Sequence, residues 1–132
     1  MKIHHMGIIV EDIKKNIEIY RALGYSMSTD VIMDDIQHLR ICFMKSEDET
    51  QTIELIESNG EMSSIHNFQS GYHHICYDVS SDTNFVSHFK MLRIGKIFTQ
   101  PIQTPAIDNR KVIFACLKNG MFVEFLIGEN EL

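Results

Sequence analysis

The chain offers no cysteine framework, no surplus of basic charge and no long apolar run. Its three cysteines, Cys42, Cys76 and Cys116, are an odd number without CxxC or CxxH spacing, so a zinc-finger reading has no support. Each lies within an apolar stretch that reads as strand interior, as a reduced and buried thiol. Lys and Arg number 12 against 18 Asp and Glu, giving a net charge of −6 and a pI near 5.6. That balance supplies no basic face for nucleic acid and points to small-molecule partners. No stretch approaches the roughly 18 apolar residues of a membrane span, and Glu11 and Asp12 cut short the apolar run near the N-terminus. A soluble, cytoplasmic protein without a membrane partner is the expectation. Proline occurs only twice, at Pro101 and Pro105, marking one irregular connection.

What the chain does have is an internal duplication. His5-Met6-Gly7-Ile8-Ile9-Val10 returns as His74-Ile75-Cys76-Tyr77-Asp78-Val79, and Thr52-Ile53-Glu54-Leu55-Ile56 returns as Phe122-Val123-Glu124-Phe125-Leu126. The offsets are 69 for the histidines, 70 for the glutamates, and 71 for Leu23-Gly24 against Ile94-Gly95. A length of 132 residues suits one domain with a shared core rather than two independent ones. The expectation is a single domain over 1–132, made of a first module at 1–58 and a second at 72–128.

Periodicity gives each copy the order βαβββ. Residues 2–10 read as a strand buried on both faces. Asp12 opens a helix with Ile13, Ile17, Tyr20 and Leu23 on one side, and Gly24 stops it. Strands are predicted over 25–33, 38–45 and 50–57, followed by a linker at 59–71 with a short helical turn at 65–68. The second copy repeats the order: a strand at 72–79, a helix from Asp82 to Ile94 closed by Gly95, and strands at 96–100, 110–117 and 121–127.

Strand alternation places Glu54 between Thr52 and Ile56 on one face, and Glu124 between Phe122 and Leu126 on another. A carboxylate among apolar neighbours must be protonated, paired or bound to a metal. His5 shares a face with Gly7 and Ile9, and His74 shares one with Cys76 and Asp78. A lone strand histidine is usually a hydrogen-bonded core or surface residue, as we read His4, His38, His66, His73 and His88. The matching offsets single out His5, Glu54, His74 and Glu124 as a set of two nitrogens and two oxygens suited to one divalent ion, with positions left open for water or substrate.

These residues resemble the vicinal oxygen chelate superfamily, which includes glyoxalase I, methylmalonyl-CoA epimerase, extradiol dioxygenases and antibiotic-resistance proteins. The resemblance covers nearly the whole chain: the His5 to Val10 opening, the helix ending in Leu23-Gly24-Tyr25, and the strands holding Glu54 and Glu124. Gly71-Tyr72-His73-His74-Ile75-Cys76-Tyr77-Asp78-Val79 is similar to the second-module opening of methylmalonyl-CoA epimerases, which selects His74 over His73 as the ligand. Pro105 to Val112 resembles a segment of short bacterial glyoxalase I-like proteins. The resemblance implies an α+β fold of two βαβββ modules pairing into a curved-sheet cleft, within a chain or between chains. It also implies one Ni, Co, Zn or Mn ion per site, and a homodimer.

The activity so implied is isomerisation or epimerisation by proton abstraction next to a carbonyl, through a metal-stabilised enolate. Glu124 is the first candidate proton carrier and Glu54 the second, with Asp34 and Asp35 as further carboxylates. Arg110 and Lys111 are candidates for the anionic part of an acyl-CoA thioester or a glutathione hemithioacetal. Methylmalonyl-CoA epimerase-like chemistry ranks first and lactoylglutathione lyase (glyoxalase I)-like chemistry second. A non-catalytic, resistance-type binding protein is the reading from a different class.

Overall fold

The computed structural model describes residues 1–131, which divide into two compact units, residues 5–73 and residues 74–131 with the N-terminal 1–4. The first unit holds β1 (Lys2–Ile9, from residue 5 onward), α1 (Ile13–Ala22), β2 (Ser26–Met27), β3 (Ile32–Asp34), β4 (Leu39–Lys45) and β5 (Thr52–Ser58). Strand β5 runs parallel to β1, with Gly7 opposite Glu54, and antiparallel to β4, with Phe43 opposite Glu54. Strands β2 and β3 both pair with β4. Helix α1 covers one sheet face: Ile13 and Ile17 pack with Ile8, Val10, Cys42, Met44, Ile53 and Leu55.

The second unit repeats this plan. It contains most of β6 (Gly71–Asp78), then α2 (Phe85–Leu92), β7 (Gly95–Ile97), β8 (Ile102–Thr104), a single 3-10 turn at Pro105–Ile107, β9 (Arg110–Leu117) and β10 (Phe122–Leu126). Strand β10 is parallel to β6 and antiparallel to β9, while β7 and β8 both pair with β9. Phe85, Val86 and Phe89 of α2 pack with Val79, Ile113, Ala115, Val123, Phe125 and Ile127. Odd positions of β9 therefore face the helix, and even positions face the other way. The class is α+β, as expected, and no helix of the described residues is long and apolar enough to cross a membrane.

Several expected boundaries shift. The strand anticipated over 25–33 is two strands, because the Thr29 hydroxyl replaces a main-chain carbonyl and accepts the Phe43 N–H at 3.1 Å. The second unit breaks in the same way: Thr99 Oγ1 accepts the Phe114 N–H at 3.0 Å, and Pro101 has no N–H to resume the ladder. Each half thus carries one strand more than anticipated. The strand at residues 2–10 is buried from Gly7 onward, but Ile3 and Met6 are exposed. Residues 65–68 form hydrogen-bonded turns and no helix. None of the three thiols forms a disulfide, and Cys116 is only half-buried.

The helix ends also divide between expectation and correction. Asp12 caps α1 by accepting the Lys15 N–H at 3.1 Å, and Gly24 follows in the left-handed region at φ +97°, as a C-terminal stop requires. Helix α2 is shorter than 82–94. It ends on Arg93, itself left-handed at φ 55°, and the Glu131 carboxylate accepts the N–H groups of Phe85 and Val86 at 3.0 and 3.1 Å. Gly95 is not the stop. A Cβ there would stand 2.6 Å from the Cys116 carbonyl oxygen, so glycine serves the close approach of β7 to β9. Gly95→Ala should therefore destabilise the protein by about 1–3 kcal/mol, read as a lower urea midpoint with an unchanged m-value.

Candidate metal centre

In the first unit, His5 and Gly7 point to the sheet face away from α1, and Glu54 projects beside them from β5. The His5 Nε2 to Glu54 Oε1 separation is 3.3 Å. The Phe43 ring, opposite Glu54 on β4, meets the imidazole edge-on at 5.0 Å between centroids. In the second unit, His74 Nε2 stands 3.1 Å from Glu124 Oε1. Phe114, opposite Glu124 on β9, meets the His74 ring edge-on at 5.5 Å. Register, ring edge and donor pair are the same in both halves.

The donors fit a divalent ion. Two ligands bound at about 2.1 Å and at right angles on one ion stand about 3 Å apart, close to the separation found in each pair. Glu54 and Glu124 are only 6% and 3% exposed, and a carboxylate so far from water requires a hydrogen-bonded or cationic neighbour. Phe43 and Phe114 are site residues that reading the sequence missed. The signal was available: they recur at an offset of 71 and alternate onto the glutamate face.

The other anticipated residues fall in different places. Arg110 shares the Glu124 face of β9, whereas Lys111, one residue on, faces the opposite way with Ile113. Arg110 lies 3.7 Å from Asp78. Burial pushes the Asp78 carboxyl up, but the Ser80 hydroxyl and amide outweigh that together with Arg110 and His4, and hold it below the usual carboxylate range.

Asp34 is fully buried at the end of β3. Its Oδ1 accepts the Ile36 and Gln37 N–H groups, both at 2.9 Å, and its Oδ2 accepts from the Gln37 side chain at 3.3 Å. This is a turn carboxylate that accepts three hydrogen bonds, while Asp35 is exposed. Asp34→Ala should remove the acceptor of the Ile36 and Gln37 N–H groups and lower stability by about 1 kcal/mol. Chemical denaturation measures this directly.

Comparison with known proteins agrees with this fold. A sequence model of the Glyoxalase/Bleomycin resistance protein/Dioxygenase superfamily matches residues 4–114, and the chain belongs to that superfamily. Among solved structures, a methylmalonyl-CoA epimerase from Mycobacterium tuberculosis superposes with a TM-score of 0.82 at 20% identity, over 96% of this chain and 87% of that one. A hypothetical protein from Bacillus halodurans gives 0.81 at 24% identity, over 97% and 94%. A variant methylmalonyl-CoA epimerase from Streptomyces coelicolor, in complex with 2-nitronate-propionyl-CoA, gives 0.79 at 18% identity, over 98% of each chain. At these identities the likeness is one of fold, of the glyoxalase-like kind. No curated protein matches the chain in sequence.

Proposed function

We propose that the chain is a divalent-metal-dependent isomerase or epimerase, in which His5, Glu54, His74 and Glu124 together hold one ion and an acyl-CoA thioester is the substrate. The observation carrying this reading is the repetition of a buried imidazole and carboxylate, 3.3 Å apart in one half and 3.1 Å apart in the other. The donor set of two nitrogens and two oxygens suits Ni, Co, Zn or Mn. When bound, such an ion supplies Lewis-acid stabilisation of negative charge developing on a carbonyl oxygen.

The chain's own part is proton transfer. Glu124 is the assigned base that takes the proton from one face of the carbon next to the carbonyl, and Glu54 is the assigned carrier that delivers a proton to the opposite face of the same carbon. The phenylalanines beside the histidines limit water and fix the imidazole planes. Arg110, on the Glu124 face, is the residue assigned to an anionic part of the substrate; Lys111 was a candidate for the same role. The epimerase folds above, one bound to an acyl-CoA analogue, support the choice of a thioester. A homodimer paired through the short outer strands β2 or β7 belongs to the same proposal. A cytoplasmic setting suits three thiols without a disulfide.

Incubation with methylmalonyl-CoA in deuterium oxide should introduce deuterium at the 2-position. Glu124→Gln should lower that exchange by about a thousandfold or more with the fold retained by circular dichroism. Full exchange in the variant would sink Glu124 as the base. Turnover of the glutathione and methylglyoxal hemithioacetal with no exchange on the thioester would move the assignment to a glyoxalase.

A further inference from the structure

The two halves are alike in frame but not in what lines the face bearing the glutamate. Phe98 N–H bonds to the Phe114 carbonyl at 3.0 Å, as Ser28 N–H bonds to the Phe43 carbonyl at 2.8 Å. Phe98 thus stands where the first half has Ser28. Phe122 precedes Glu124 by two residues as Thr52 precedes Glu54, so Phe122 stands where the first half has Thr52. The two halves share Phe43 and Phe114 but differ at two flanking positions, hydroxyl-bearing in the first half and aromatic in the second.

In the second half the rings touch. Phe98 lies 6.4 Å from Phe114 and 5.8 Å from Phe122 between centroids, and Phe114 in turn meets His74 at 5.5 Å. None of the three belongs to the core under α2. Phe98 is 53% exposed, so much of its apolar surface is open to contact. The wall is continuous with the imidazole of a candidate ligand, so its occupant is a group attached close to the reacting carbon.

Resting on the proposed function, we infer that Phe98, Phe114 and Phe122 seat an apolar, preferably flat, substituent of the acyl group and determine which thioester the protein accepts. Ring stacking and area burial then favour an aromatic acyl chain over acetyl. Phe98 and Phe122 are specificity residues: they select the acyl group and move no proton.

The test is calorimetric binding of phenylacetyl-CoA and acetyl-CoA to the full chain, metal-free and Co2+-loaded. Phenylacetyl-CoA should bind about tenfold tighter or better. Phe98→Ser and Phe122→Thr, the residues of the first half, should each cut that preference to about threefold or less. Equal affinity for the two ligands in the wild type, including no binding of either, overturns the inference. A preference that survives in both variants overturns it as well, and a lowered melting temperature without altered preference assigns the wall to packing. Failure of the proposed function reads differently: no Co2+ binding and no proton exchange, whatever the ligand preference.

Discussion

Burying a glutamate inside an apolar strand is the constraint from which the rest of this structure follows. A buried carboxylate calls for a partner, and each of Glu54 and Glu124 has an imidazole nitrogen within 3.3 Å. Parallel pairing of the first and last strands of each half makes that approach possible. It puts Gly7 opposite Glu54 and Cys76 opposite Glu124, with the histidine two residues earlier on the same face. The α-helix of each half packs the opposite face, so the apolar core and the polar pair are kept apart by one sheet thickness.

Much of this was legible in the sequence because duplication reports its own frame. Offsets of 69 between His5 and His74 and 70 between Glu54 and Glu124 identified strand pairs that propensity alone would have left ambiguous. Helix α1 was legible from a cap at Asp12 and a stop at Gly24. What stayed hidden were substitutions of one hydrogen-bonding group for another. Thr29 and Thr99 look like ordinary β-formers, yet their hydroxyls interrupt the ladder and split a strand in each half. Glu131 caps α2 from 46 residues away in sequence, and no local pattern announces that. Gly95 resembled Gly24 in position but answers to a crowded carbonyl rather than to a left-handed turn.

The side chains near each pair divide into a conserved frame and a divergent lining within one chain. Phe43 and Phe114 hold the same place against the two histidines. Arg110 lies on the Glu124 face but leans on Asp78, and Asp34 is occupied by the turn it closes. The carboxylates paired with buried imidazoles are the glutamates themselves. This is the reason the proposed mechanism rests on Glu124 rather than on the carboxylates before β4. Membership of the superfamily settles the frame, and the lining is where this chain's own chemistry is written.

The central claim is that the two pairs hold one ion together, and titration of Co2+ into chelator-stripped protein tests it most directly. The account predicts one ion bound per chain, with affinity lost in His5→Ala and lost equally in His74→Ala, because each half contributes ligands to the same ion. An absence of binding, or an affinity indifferent to both substitutions, would contradict it and leave two ordinary buried hydrogen-bonded pairs.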